Sequence, residues 1–186
     1  MTTSPRLPAG LVRRAASAGT GADPEVTEAE LDRVAELALR RDARTVTVGH
    51  GRSAAAAAAA AAFARRWEDQ GRIVLDVVTW PEEAASWLRQ ATRFTAAHPD
   101  LWVMAGSPGG WAQMARRLLW STPWEPGRTI AFAAVGTERA VGLVGAGNLS
   151  GLTGTTAWGG TWAVRDGQLI RPRRGRPGRA CGAGLT

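Results

Sequence analysis

The residues best suited to chemistry form a glycine-rich segment, Gly49–Ala54, which reads Gly-His-Gly-Arg-Ser-Ala. It fits the G-x-G-x-x-A pattern, in which a strand-to-helix turn lets the backbone approach a pyrophosphate at a helix N-terminus. Dinucleotide sites also need an acidic residue at the end of the next strand, about 20 residues further on. Asp76 lies beyond that spacing, in the middle of the next apolar run. The segment therefore favours a tight turn into a capped helix, with a nucleotide-binding enzyme as the alternative.

Other catalytic and metal-binding patterns are missing from the sequence. It has two histidines, one cysteine and no lysine, so a phosphate loop ending in Gly-Lys cannot form. His50 follows an apolar run and could act as an acid or base, but no motif sets a nucleophile or carboxylate beside it. His98 precedes a different strand, so we expect no shared metal site. We predict no catalytic residue, no metal and no cofactor, and a protein that is not an enzyme.

The elements that must position these residues alternate between helices and short apolar strands. The predicted helices begin near Thr27, Ser53, Pro81, Trp111 and Thr137, and the third runs from Pro81 to about Ala97. The predicted strands cover 45–50, 72–78, 101–105 and 129–135. This order predicts an α/β fold, a Rossmann-like open parallel sheet of about four strands with helices on both faces. A C-terminal β-hairpin is expected within 151–170, with its turn at Asp166-Gly167.

Ligands of such sheets bind beyond the carboxyl ends of the strands. The loops expected there supply the candidate ligand-binding residues, which are His50, Arg52, Ser53, Trp80, Ser107 and Thr137. Arg52 would pair with an anionic group, and Ser53 and Ser107 open helices whose first amides favour anions. Trp80 and Trp111 flank these loops and could stack on a ligand, with core packing as the alternative.

The two ends of the sequence differ in composition from its centre. Residues 1–26 are rich in Pro, Gly, Ser and Ala and are predicted to be a flexible leader or linker. Residues 171–186 contain five arginines and no acid, which predicts a disordered basic tail and explains most of the net charge of +7. Binding of phosphates, anionic lipid or nucleic acid by this tail is an alternative function, although no specific nucleic-acid partner is expected. The N-terminus has no apolar core of the kind a signal peptide needs, and the alanine run Ala54–Ala62 is too short to span a bilayer.

From about Thr27 to Trp158 the order of motifs resembles the second lobe of type I periplasmic binding proteins, a group that includes branched-chain amino-acid receptors. The resemblance lies in TVTVGH, RIVLDVVTW, PDLWVMAGSPGGWAQMARRLLW and TIAFAAVGTERAVGLVGAGNLSGLTGTTAW, in this order. It implies an α/β lobe over 27–170 that captures a small polar solute reversibly and serves an ABC transporter. A partner lobe and an ABC permease would be its partners. The family is extracytoplasmic and membrane-associated, whereas the chain as given shows no signal peptide.

Two loops depart from the amino-acid receptors of that family. The first ligand loop, 50–55, lacks the acidic and aromatic residues that the family often places there. The segment 133–136 lacks the carboxylate that usually binds the ligand's α-ammonium group. The resemblance thus implies transport, with amino-acid transport as the family's case, and leaves the ligand of this chain open. A remnant that lacks the first lobe and has lost its function is a further alternative.

Overall fold

A computed structural model describes residues 25–172 of the chain. Apart from two residues at each end, the predicted leader and basic tail lie outside the described residues. The described α-helices are α1 (Glu28–Leu39), α2 (Ala54–Asp69), α3 (Leu88–Ala96), α4 (Pro108–Ser121) and α5 (Glu138–Val144). The strands are β1 (Thr45–Gly51), β2 (Ile73–Trp80), β3 (Leu101–Ala105), β4 (Thr129–Ala131), β5 (Thr153–Thr155), β6 (Thr161–Arg165) and β7 (Gln168–Ile170). Short 3-10 turns lie at Pro126–Arg128 and Ala146–Leu149.

All seven strands form one open sheet in the order β2-β1-β3-β4-β5-β6-β7. The first five strands in this order run parallel to one another, and β6 is antiparallel to both of its neighbours, β5 and β7. The predicted mixed α/β fold and its C-terminal hairpin are therefore confirmed. Asp166 and Gly167 both have positive φ angles, 50° and 70°, as a two-residue hairpin turn requires. The sheet has one more parallel strand than predicted, because β5 pairs with β4 before the chain reverses.

The core consists of two layers, one on each face of the sheet. The layer under α3, α4 and α5, which we call the tryptophan layer, contains six buried tryptophans: Trp80, Trp87, Trp102, Trp111, Trp124 and Trp162. The layer under α1 and α2, which we call the alanine layer, contains the buried residues Ala35, Ala38, Ala43, Ala56, Ala59 and Ala60, together with Phe63 and Trp67. The polyalanine stretch of α2 combines high helix propensity with a thin face that packs close to the sheet.

Three predicted boundaries at the carboxyl ends of strands are wrong. The helix predicted to begin near Trp111 begins at Pro108, since Ser107 caps it. The helix predicted to begin at Pro81 begins at Leu88. The Trp87 indole donates a hydrogen bond to the Pro81 carbonyl (2.9 Å), and Glu82 accepts one from Ser107, so tertiary contacts hold the intervening segment as a loop. The strand predicted to reach residue 135 ends at Ala131, because the chain turns there through short-range backbone hydrogen bonds.

Within the described residues, no helix has the length and apolar character needed to cross a membrane.

Candidate functional site

Three of the predicted ligand residues cap helices at one edge of the sheet. Strands β1, β3 and β4 end at this carboxyl edge, and α2, α4 and α5 begin there. Ser53, Ser107 and Thr137 each accept a hydrogen bond from the amide three residues further on, at 3.2, 3.1 and 3.0 Å. These are N-caps, which satisfy a helix amide that would otherwise lack a partner. A capping hydroxyl keeps its own proton for donation, so it can still bind an acceptor on a ligand.

Ser107 donates that proton to Glu82, a residue that sequence reasoning placed within a helix and missed as part of the site. The Glu82 carboxylate lies against the backbone of Gly51 and Gly110, where a β-carbon would collide with it. It therefore occupies the N-terminal end of α4, where the helix dipole favours negative charge. The only signal in the sequence that could have pointed to Glu82 was its position two residues after the end of β2, at the carboxyl edge of the sheet.

His50 and Arg52 lie at the end of β1 and just beyond it. His50 is half-buried, and its Nδ1 atom is 2.7 Å from the Gly51 carbonyl oxygen. A carbonyl only accepts hydrogen bonds, so Nδ1 carries a proton and Nε2 is the acceptor of the neutral ring. Arg52 is exposed and forms no ion pair with any residue of the described chain. These two residues thus offer one acceptor and one unpaired cation at the carboxyl edge.

The rings of Trp80 and Trp111 are fully buried in the tryptophan layer. The Trp80 ring packs on the backbone of β1, so closely that a β-carbon on Gly49 would lie 2.7 Å from it. The structure gives a solute no access to either ring and supports the packing alternative. Stacking on a ligand is therefore not possible in this structure. Trp80 is the last residue of β2, and its side chain points into the tryptophan layer and away from the loops.

The same packing accounts for the glycine-rich pattern. A β-carbon on Gly49 would also meet the Phe94 ring at 2.6 Å, so glycine is needed there for packing. Asp76 lies within β2, short of its carboxyl end, and pairs with Arg93 at 2.6 Å. Packing alone thus explains why residue 49 is glycine, without a bound nucleotide. Asp76 does not lie at the carboxyl end of β2, where the ribose-binding acid of a dinucleotide site is found.

A small cleft opens at the carboxyl edge on the side of the alanine layer. It lies between the starts of α1 and α2 and the ends of β3 and β4, and its volume is about 40 Å³. Ala56, Gly106 and Ala133 line it, together with Glu25 and Glu30 from the start of α1. Such a volume holds a water molecule or one small chemical group, far less than the pocket of a whole enclosed ligand. The cleft therefore cannot enclose a whole small-molecule ligand by itself.

Glu30 is the buried acid of this cleft, with 4% of its surface exposed. Its carboxylate accepts hydrogen bonds from the Ala133 amide at 2.6 Å and the Thr155 hydroxyl at 3.4 Å. Burial raises the pKa of Glu30, and these hydrogen bonds and one from the Thr27 amide oppose that shift. Thr27 and Glu30 form a capping box at the start of α1, in which each side chain accepts a hydrogen bond from the other residue's amide. The link to β4 and β5 depends on the fold.

Among residues 25–172, no group of three or more His, Cys, Asp or Glu side chains is arranged to hold a metal ion.

No family model matches the sequence, and no curated protein matches it. Solved structures do resemble the fold. A putative branched-chain amino acid ABC transporter from Silicibacter pomeroyi has 16% sequence identity and a TM-score of 0.57, over 80% of this chain and 40% of that one. An extracellular ligand-binding receptor from Rhodopseudomonas palustris HaA2 has 16% identity and a TM-score of 0.60, over 67% and 34%. An ABC transporter substrate-binding protein from Sphaerobacter thermophilus has 19% identity and a TM-score of 0.53, over 68% and 34%.

This chain spans 34 to 40% of the length of those three proteins. Since identity is low in each case, the likeness concerns the fold.

Proposed function

We propose that residues 27–170 form a solute-binding lobe like those of type I periplasmic binding proteins, because the fold resembles part of solved structures of ABC transporter ligand-binding proteins. The lobe captures a small polar solute reversibly, without covalent chemistry and without a cofactor. A partner lobe covers the bound solute, and an ABC permease receives it. The proposal is drawn from fold likeness and from the geometry of the carboxyl edge, since fold alone does not determine function.

The observation that carries this proposal is the small cleft at the carboxyl edge, which is lined mainly by alanines together with Glu25 and Glu30. Open α/β sheets bind ligands at this edge, and the cleft of about 40 Å³ is too small to enclose one. A second lobe that closes by a hinge would bury the rest of the solute. The lobe therefore supplies one wall of the site.

The predicted residues do not line the cleft but lie at the same carboxyl edge of the sheet, where we assign them these roles. Arg52 is exposed and has no ion pair within residues 25–172, so it would bind a carboxylate or another anionic group of the solute. The hydroxyls of Ser53 and Thr137 would donate hydrogen bonds, and Nε2 of His50 would accept one. Ser107 already donates to Glu82, so it would contribute only if that carboxylate moved away.

Binding of pooled small acids and amino acids to the full chain tests the proposal. A single wall binds weakly, so a Kd on the order of 1 mM is expected. Ligand at about ten times that Kd stabilises the native state by about 1.4 kcal/mol and raises the Tm by a few degrees. Calorimetry on the pool that raises the Tm then gives the affinity.

Two arginine variants separate specific binding from a general charge effect. Arg52→Gln should lower the affinity for an anionic solute at least tenfold, because a charge-assisted hydrogen bond is worth about 1.5 to 3 kcal/mol. Arg65→Gln removes an equally exposed charge from the body of α2 and should leave the affinity unchanged. If no pool shifts the Tm of a folded sample, solute capture by this lobe is wrong.

A further inference from the structure

The start of α4 holds a carboxylate of the chain itself among closely packed backbone atoms. A β-carbon on Gly51 would lie 2.5 Å from Oε1 of Glu82, and one on Gly110 would overlap with Oε2. Glycine at both positions thus leaves the room that this carboxylate fills. Ser107, the N-cap of α4, donates its hydroxyl proton to the same carboxylate. We call the three residues Gly51, Ser107 and Gly110 the carboxylate cradle.

Charge and shape both suit the carboxylate cradle to a carboxylate. The helix α4 has 14 residues, so its dipole places a partial positive charge at this end. The hydrogen bond from Ser107 is charge-assisted, since its acceptor is a carboxylate. The two glycines are an indication independent of the dipole, because one ends β1, the other lies in α4, and both border the same group. The cradle therefore fits a carboxylate, whichever molecule carries it.

The loop that carries Glu82 allows its carboxylate to leave the cradle. Residues 81–87 contain neither helix nor strand, and residues 83–86 are exposed. The base of this loop is closed by the hydrogen bond from the Trp87 indole to the Pro81 carbonyl, 2.9 Å long. Because that anchor does not involve Glu82, rotation of the glutamate side chain is sufficient to empty the cradle. Neither β2 nor α3 has to move.

We propose that Glu82 is an internal ligand of the carboxylate cradle and that the carboxylate of a solute displaces it. This inference rests on the proposed function, to which it adds carboxylate-bearing molecules as the class of solute. While Glu82 occupies the cradle, a solute can enter it only in the fraction of molecules from which Glu82 has moved away, and this lowers the apparent affinity. The exchange puts one carboxylate in the place of another, so the start of α4 keeps a negative charge throughout.

Rescue of Glu82→Ala by acetate tests the cradle without any solute. This variant of the full chain lacks the internal carboxylate, so about 100 mM acetate should raise its Tm by a few degrees relative to sodium chloride at equal ionic strength. The wild type should not respond, because Glu82 already fills the cradle. Glu83→Ala removes the exposed acid that follows in the chain and should not respond either. If Glu82→Ala is unfolded by circular dichroism, acetate should restore the folded signal.

A double variant tests whether acetate binds in the cradle itself. Adding Gly110→Ala to Glu82→Ala puts a methyl group where the carboxylate lay and should abolish the response to acetate. Alanine is also the better helix former, so the double variant should be no less stable than Glu82→Ala. The cradle is excluded as a binding site if the double variant or Glu83→Ala responds as Glu82→Ala does. It is also excluded if acetate neither stabilises a folded Glu82→Ala nor restores an unfolded one.

Solute binding then separates displacement from solute capture itself. Glu82→Ala should bind the anionic solutes of the pool more tightly than the wild type, by about tenfold or more, because no internal carboxylate competes. Glu82→Gln, which keeps the shape of the side chain without its charge, gives the same comparison if Glu82→Ala does not fold. An unchanged affinity would overturn displacement and leave solute capture intact. Acetate rescue without binding of any pool, by the variant or by the wild type, would overturn solute capture and displacement together and leave only the cradle.

Discussion

The two faces of the sheet differ in how many large aromatic side chains they bury. The tryptophan layer fills the space under α3, α4 and α5 with six indoles, whereas the alanine layer keeps α1 and α2 close to the sheet with small side chains. At the carboxyl edge this difference has a visible result. Trp80 and Trp111 fill the edge on one face, and on the other face alanines leave the cleft bordered by Glu30. Side-chain volume therefore decides on which face of the sheet the cleft forms.

The largest effect should come from emptying the tryptophan layer. Trp111→Ala should lower the free energy of unfolding by about 3 to 5 kcal/mol, because it removes a fully buried indole and leaves a cavity. Trp120 offers a matched control on the same helix, with 62% of its surface exposed. Trp120→Ala should change stability by no more than about 0.5 kcal/mol. Urea denaturation of both variants gives the two values. Similar losses in both would mean that the tryptophan layer is not tightly packed.

A smaller difference in the free energy of unfolding is expected when one alanine in each layer is replaced by valine. Ala112→Val, in the tryptophan layer, should cost about 1 to 3 kcal/mol, since Ala112 is fully buried among the side chains of that layer. Ala59→Val, in α2, extends toward the cleft and should cost less than about 1 kcal/mol. Both substitutions place a β-branched residue in a helix, so that common cost cancels in the comparison. A larger loss for Ala59→Val would show that the alanine layer is the tighter one.

The smallest effect concerns Glu30, the buried acid of the alanine layer. Burial raises its pKa in the folded state above the ordinary value of 4.5, so the folded protein holds this proton more tightly than the unfolded chain. Its contribution to stability is thus fully present below about pH 4.5 and is lost as pH rises through the folded pKa. Glu30→Gln should remove this slope. We expect the wild type to lose stability relative to the variant between pH 4.5 and neutral pH, in urea denaturation at several pH values.

Constant relative stability across that range would contradict the raised pKa. A variant that is less stable at every pH would instead mean that the hydrogen bonds of the carboxylate to Ala133 and Thr155 outweigh its burial.

Local sequence signals predicted most of the elements correctly. The third strand, 101–105, has its predicted bounds, and Ser53, predicted as a cap, does cap α2. These features depend on short-range rules, namely apolar runs and capping hydroxyls, so they can be read from neighbouring residues. The helix expected at Pro81 failed because Pro-Glu-Glu is a good helix start in isolation, while contacts with α4 hold Glu82 in a loop.

The candidate site was only partly predictable for the same reason. Sequence position placed His50, Arg52, Ser53, Ser107 and Thr137 at the carboxyl edge, since each follows an apolar strand. Position could not tell that Trp80 faces the core, because its direction depends on which face of β2 is covered. Nor could it find the link from Glu30 to Ala133, whose partners lie 103 positions apart in the chain.

By itself, the sequence determined the alternation of helices and strands, the parallel sheet and the edge at which any ligand would bind. Hydrophobic periodicity and helix capping depend on neighbouring residues, so they can be read from the sequence without knowledge of the tertiary contacts. Only the tertiary structure decided that Glu82 fills the start of α4, that the indoles crowd one face, and that β2 lies at the end of the sheet with three apolar side chains exposed. These features depend on contacts between residues that are far apart in the chain, and only the packing of the folded protein determines those contacts.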